Sequence, residues 1–174
     1  MNPSYCRIRA PQSNALERFA AWNQLPEVGP LIPAADSEAV RLACDERGTW
    51  RGHAVLVSEV AGWTLFQDLS GVLGGVPAYK WLEFAGPDEL VMAGYNDAIP
   101  YGELVAIKGG RVIREFSDEP GSPETNVNLG MIESDSEPFE HWFDVAGFVD
   151  ADELGFSEAG LLWVWAAEPN SHHG

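Results

Sequence analysis

The dipeptide Gly109-Gly110 is the feature that most limits how this chain folds, because it separates two strand-like segments. GELVAIK (102–108) precedes it and RVIREF (111–116) follows it, and both contain many residues that favour strands. Two glycines accept the positive φ angles of a two-residue β-hairpin turn. Since a tight hairpin joins antiparallel strands, the sequence predicts an antiparallel sheet.

Other segments have the same branched and aromatic composition and are expected to extend this sheet. They are HAVLVSEV (53–60), GWTLFQDL (62–69), ELVMAGY (89–95) and LLWVWAA (161–167). The last is apolar on both faces, which is typical of an interior strand. We therefore expect about five to six antiparallel strands.

Helices are predicted before the strand-rich region, at 13–23 and 36–47, and within it, at 77–86, with Ser13 as a cap of the first. The segment 117–130 is rich in turn formers and predicts a long loop. Together these patterns indicate a single α+β domain with helices packed on the sheet. Its parts are a helical part at about 13–48, a sheet-rich part at about 53–130, and a helix and strand at about 136–167.

The net charge of −17 is concentrated in the last third of the chain. Residues 1–114 contain 13 acids and all 10 bases, a net charge of −3, whereas residues 115–174 contain 14 acids and no Lys or Arg. Such a surface repels nucleic acid and anionic membranes and attracts a basic partner or a cation. Acidic surfaces also aid solubility, which is the alternative explanation.

The chain has no apolar run of about 18 residues, so a membrane-spanning helix is not expected. The N-terminal segment MNPSYCRIRAPQS lacks the apolar core of a signal peptide. Cys6 and Cys44 form no disulfide framework and fit reduced thiols. These features favour a cytoplasmic protein.

Standard catalytic signatures are absent from the sequence. There is no HExxH and no GxSxG, and the stretch GVLGGV (71–76) lacks the GK[ST] that binds phosphate and magnesium. We therefore expect a non-enzymatic protein without a cofactor or a metal. A hydrolase that uses paired carboxylates remains the catalytic alternative.

The stretch ESDSEPFEHWFDVAGFVDADE (133–153) combines carboxylates with large aromatics. Its spacing predicts a helix over 137–149, with Ser134 and Glu137 as a capping box. One helical face would bury an apolar stripe of Phe139, Trp142, Phe143, Ala146 and Val149.

Part of the charge in this stretch has no evident local role. Glu140 and Asp144 are like charges four residues apart, and Asp150, Asp152 and Glu153 lie where the helix dipole disfavours anions. Only a base folded back from the first 114 residues could neutralise them. We therefore predict a partner-binding surface that comprises Glu133, Asp135, Glu137, Glu140, Asp144 and Asp150, with Trp142 as a possible anchor.

Three segments resemble bacterial immunity-type proteins, which accompany polymorphic or contact-delivered toxins such as those of type VI secretion. They are GWTLFQDLSG (62–71), MAGYNDAIPYGELVAIKGGRVIREF (92–116) and ETNVNLG (124–130), and the resemblance spans residues 55–165. It implies a small cytoplasmic α+β inhibitor that binds one cognate toxin. Many such toxins are basic nucleases or nucleotide-modifying enzymes. The shared motifs are structural, so the resemblance assigns no site residues.

The leading hypothesis is therefore an immunity protein that neutralises a basic toxin by stoichiometric occlusion. Carboxylates would steer the encounter and a few aromatics would anchor the contact. The alternatives are another acidic protein-binding adaptor, a regulator that mimics nucleic acid, and the hydrolase. A pocket with convergent carboxylates would favour the hydrolase.

Overall fold

A nine-stranded antiparallel sheet dominates the computed structural model, which describes residues 3–130 and 139–167. The strand order is β2-β9-β3-β4-β1-β5-β6-β7-β8. The strands are β1 (Ser4–Ile8), β2 (Leu31–Ala35), β3 (His53–Val60), β4 (Trp63–Asp68), β5 (Leu90–Asn96), β6 (Tyr101–Lys108), β7 (Arg111–Asp118), β8 (Val127–Gly130) and β9 (Ala159–Trp165).

The α+β class and the antiparallel sheet are confirmed, but the expected five to six strands are too few. The three additional strands are β1, β2 and β8. Arg7 interrupts the apolar pattern of β1, Pro33 lies in β2, and β8 falls within the segment predicted as a loop. Pro33 is tolerated because β2 is the last strand at one edge of the sheet, where an N–H is not required.

Helices α1 (Gln12–Trp22), α2 (Asp36–Ala43), α3 (Ala78–Ala85) and α4 (Trp142–Ala151) pack on the sheet. The sequence predicted Ser13 as the cap of α1, but Ser13 lies within the helix and does not cap it. Its first backbone N–H, that of Gln12, donates to Oε1 of Glu59 in β3 at 3.0 Å. Tertiary structure thus supplies the cap that sequence reasoning assigned to a local residue.

The helices form a layer on each face of the sheet. Helices α1 and α3 share a core with Cys6, Phe66 and Met92, whereas α4 shares a core with Tyr5 and Ala93. Because successive strand residues point to opposite faces, Tyr5 and Cys6 belong to different cores. Helix α2 covers β3 and β9 on the same face as α4. Cys6 is buried and Cys44 is half-buried, and both are free thiols.

Candidate functional site

Only some of the predicted partner-binding residues lie within the range that the structure describes. Glu133, Asp135 and Glu137 lie outside the described residues. Glu140 precedes α4, and Trp142, Asp144 and Asp150 lie on it.

Helix α4 begins at Trp142 rather than at 137, because two carboxylates satisfy its N-terminal donors. Oδ2 of Asp144 accepts hydrogen bonds from the backbone N–H groups of Glu140 and His141 at 2.9 and 2.8 Å. Oδ2 of Asp118, at the end of β7, accepts one from the N–H of Trp142 at 2.7 Å. Asp144 therefore has a structural role that sequence reasoning missed, as an N3 residue that reaches back to the N-cap.

The later start changes which residues of α4 face the sheet. Val145 and Val149 are fully buried and Phe139 packs below them, but Phe143 is 54% exposed. The predicted burial of Phe143 is therefore wrong, whereas Phe139 and Val149 of the same predicted stripe are buried. The segment has apolar residues on most sides, so its spacing is compatible with several different buried faces. The position of the N-terminal cap determines which of these faces packs on the sheet.

The exposed aromatic group at the start of α4 consists of three neighbouring side chains. Phe143 stacks on His141 with ring centroids 4.9 Å apart and meets Trp142 edge to face at 5.9 Å. Trp142 is half-buried, whereas His141 and Phe143 are exposed. An exposed ring of this kind is suited to anchoring a partner.

At the other end of α4, Asp152 is neutralised by a base from the first part of the chain. Arg7 in β1 forms an ion pair with Asp152, and the hydroxyl of Tyr5 donates to the same carboxylate oxygen. The expectation that Asp152 is uncompensated is therefore wrong. Asp152 supplies the counter-charge for Arg7 in β1, which would be costly to bury without a partner.

Of the five acids described between positions 140 and 153, three are exposed. Asp150 is exposed and accepts a hydrogen bond from the Tyr95 hydroxyl at 3.1 Å, and Glu140 and Glu153 are exposed. Phe143 and Asp150 are seven residues apart and share one side of the helix. We call Glu140, Phe143, Asp150 and Glu153 the α4 surface.

A second candidate site is a cavity of about 440 Å³ at the end of the sheet where β1 and β6 begin and β4, β5 and β7 end. We call it the strand-end pocket. Of the described residues that line it, three are acidic and none is basic. The acids are Asp68, Glu103 and Glu119, and the larger uncharged side chains are Tyr95, Asn96, Ile99 and Tyr101.

Asp68 holds the glycine-rich loop at the base of this pocket. Its carboxylate accepts hydrogen bonds from the backbone N–H groups of Gly71, Val72 and Leu73 at 2.8 to 3.0 Å, and from the hydroxyl of Ser4 at 3.0 Å. Gly71 has a φ of +87°, which favours glycine there. The stretch GVLGGV is thus a turn fixed by a carboxylate, not a phosphate loop.

Glu103 occupies the inner wall of the pocket. Both of its carboxylate oxygens accept from the N–H of Gly75, at 3.0 and 3.2 Å, and one also accepts from the Tyr101 hydroxyl. Burial raises the pKa of Glu103, and repulsion from Asp68 adds to this, although the two hydrogen bonds act in the opposite direction. Burial and the neighbouring Glu103 raise the pKa of Tyr101 well above its usual range, which keeps its hydroxyl a donor.

Sequence reasoning did not identify Tyr95, Tyr101 or Glu103 as site residues. The available signal was Glu103 itself, a carboxylate in the otherwise uncharged interior of the strand-like segment GELVAIK. A charge at such a position indicates either a specific partner or a site.

The pocket and the α4 surface lie on opposite faces of the sheet and meet at its end. Glu103 shares a face with Val105 in the α1/α3 core, whereas α4 packs on the other face. Tyr95 links the two, because it lines the pocket and its hydroxyl donates to Asp150. A partner that contacts α4 at Asp150 would therefore also lie close to the pocket.

Comparison with known proteins gave no match among family models, curated protein sequences or solved structures. Among the described residues, no helix combines the length and apolar character needed to cross a membrane. Within 3–130 and 139–167, no group of three His, Cys, Asp or Glu side chains is placed to share a metal ion.

Proposed function

We propose that this protein is a cytoplasmic inhibitor of the immunity type, which binds a basic toxin and neutralises it by stoichiometric occlusion. The observation that carries the proposal is the concentration of 14 acids and no Lys or Arg in residues 115–174. Complementary charge raises the rate of association with a basic partner.

The arrangement of α4 supports this function. Glu140, Asp150 and Glu153 are exposed on or beside the helix that carries the exposed Phe143, so the α4 surface offers carboxylates for steering and an aromatic ring for burial. Asp144 and Asp152 serve the fold instead. Phe143 replaces Trp142 as the preferred anchor, because Trp142 is half-buried whereas Phe143 is exposed.

The proposal predicts that a basic toxin is encoded beside this gene, and the test uses the product of that neighbouring gene. We expect co-expression of this protein to restore growth, and purified toxin to bind it with an association rate that falls as salt rises. The double variant Glu140→Lys with Asp150→Lys should lower that rate by about tenfold or more at low ionic strength. A matched control, Glu17→Lys with Glu46→Lys, makes the same charge change at exposed sites in the first part of the chain.

Equal rates for the two double variants would reject the α4 surface, and failure to protect cells from the toxin would reject the immunity role. Protection without a direct complex would also contradict occlusion. Binding to a basic protein that is not a toxin would favour an adaptor instead.

A carboxylate-based hydrolase is the second candidate, and the strand-end pocket with Asp68 and Glu103 is the observation that favours it. Against it, Asp68 already accepts four hydrogen bonds that hold the loop. Turnover of chromogenic glycosides that disappears in Glu103→Gln would favour the hydrolase over the inhibitor.

A further inference from the structure

We infer that the strand-end pocket receives an arginine side chain of the partner protein, an inference that rests on the proposed function. The pocket is built by strand ends and the loop after β4, and it does not include the α4 surface. It would supply a specific anchor point beside the charge of α4.

The charge of the pocket selects a cation. The described part of its lining contains Asp68, Glu103 and Glu119 and has no Lys, Arg or His. A phosphate or a carboxylate ligand would meet only like charge on these side chains. A cationic group is therefore the complementary occupant.

The hydrogen bonds already made within the pocket show which carboxylates can accept from a ligand. An ionised carboxylate offers about four acceptor positions, and those of Asp68 are filled by three backbone N–H groups and Ser4. Among the described residues, Glu103 accepts from two donors, Gly75 and Tyr101. Glu119 is half-buried and adds a second carboxylate to the lining.

The uncharged lining favours arginine over lysine. Tyr95 and Tyr101 provide aromatic rings, and Ile99, which is 69% exposed, provides apolar surface for an aliphatic stem. A guanidinium group stacks on aromatic rings and forms paired hydrogen bonds with a carboxylate, whereas an ammonium group is compact and more strongly hydrated. The cavity of about 440 Å³ is within the usual size range of sites for small ligands.

The experiment titrates the isotope-labelled full chain with N-acetyl-arginine amide and follows backbone amide NMR signals. N-acetyl-citrulline amide is the matched control, because it has nearly the same shape without the charge. We expect saturable shifts at Gly75, Asn96 and Tyr101 with arginine, and at least about tenfold weaker binding of citrulline, since charge-assisted hydrogen bonds are the stronger ones. The lysine analogue should bind more weakly than arginine.

Two variants locate the binding. Glu103→Gln should weaken arginine binding by about tenfold. Glu119→Gln should also weaken it and does not remove the contacts of Glu103 with Gly75 and Tyr101, so it tests the pocket even if Glu103→Gln alters the loop. The exposed Glu124→Gln makes the same charge change outside the pocket and should leave binding unchanged.

Equal binding of citrulline, shifts that do not saturate, or shifts confined to the α4 surface would each overturn the pocket assignment. So would equal weakening by Glu124→Gln and Glu119→Gln. Because the titration contains no toxin, its failure leaves toxin neutralisation to be judged by the growth assay. Conversely, arginine binding by a protein that does not neutralise the toxin would reject the immunity function and retain the strand-end pocket as a site for a cation.

Discussion

Arg7 and Asp152 form an ion pair that joins the buried strand β1 to the residue that follows α4, across 145 positions of sequence. Both side chains are only about a tenth exposed. Tyr5 donates to the same carboxylate, so the contact holds the end of α4 against the centre of the sheet.

The first prediction concerns the loss of this pair. Asp152→Asn should lower the free energy of unfolding by about 3 kcal/mol, because it leaves the Arg7 guanidinium buried without a counter-charge. Chemical denaturation measures the change. The adjacent Glu153→Gln alters an exposed carboxylate and should change stability by less than about 0.5 kcal/mol. Similar effects of the two substitutions would show that the buried pair contributes little.

The same pair explains why β1 could not be predicted. Local patterns were sufficient for β3, one of whose partners is the adjacent β4, and for the hairpin of β6 and β7. In β1, however, the sequence alone suggests that Arg7 is a surface residue. Its burial is explained only by the ion pair with Asp152, which the fold brings beside it. Strand β8 is similarly defined by its pairing with β7 rather than by its own composition.

The candidate sites likewise differ in how far the sequence predicts them. The acidic character of the α4 surface could be read from composition, and Glu140 and Asp150 are exposed. The strand-end pocket could not be predicted, because Asp68 and Glu103 are brought together only by the order of the strands. Likewise, the exposure of Phe143 follows from the cap by Asp144, which fixes where the helix begins.

The second prediction uses two glycines with opposite surroundings. A Cβ at Gly102 in β6 would lie 2.7 Å from the Trp142 carbonyl oxygen and 2.9 Å from its Cα. Gly102→Ala should therefore displace the start of α4 and cost about 1–3 kcal/mol. Gly147 lies within α4 with open space around its Cβ position, so Gly147→Ala should stabilise by about 0.5–1 kcal/mol.

Thermal denaturation of the Gly102→Ala and Gly147→Ala variants measures these changes in stability. Opposite shifts in Tm are expected, and a neutral Gly102→Ala would mean that α4 does not pack closely on β6. Since Phe143 and Asp150 are carried by α4, Gly102→Ala should also weaken the proposed complex with a toxin.

The third prediction tests the loop beneath the pocket. Asp68→Asn places an amide where a carboxylate accepts from Gly71, Val72, Leu73 and Ser4, and should cost about 2 kcal/mol, because hydrogen bonds to charged groups are worth about 1.5–3 kcal/mol. Amide hydrogen exchange should accelerate at residues 71–73. In the exposed turn between β5 and β6, Asp97→Asn makes the same chemical change and should leave exchange at these amides unaltered. Unchanged protection in Asp68→Asn would contradict the assigned role.

The fourth prediction follows from the buried carboxyl group of Glu103. Burial raises its pKa in the folded protein above the ordinary value of 4.5, so the folded chain retains a proton that the unfolded chain releases over that pH range. Unfolding then releases a proton, and the free energy of unfolding contributed by Glu103 falls as the pH rises from 4.5 to the folded-state pKa. The fall is at most about 1.4 kcal/mol per pH unit.

Glu103→Gln removes this dependence, because glutamine does not titrate. The stability of the variant relative to the wild type should therefore increase with pH across that window and become constant above it, as measured by urea denaturation at closely spaced pH values. The exposed Glu124→Gln separates this local effect from the change in overall charge. A relative stability of Glu103→Gln that falls as the pH rises would mean that the carboxylate is stabilised at its site, since the hydrogen bonds from Tyr101 and Gly75 would then outweigh the cost of burial.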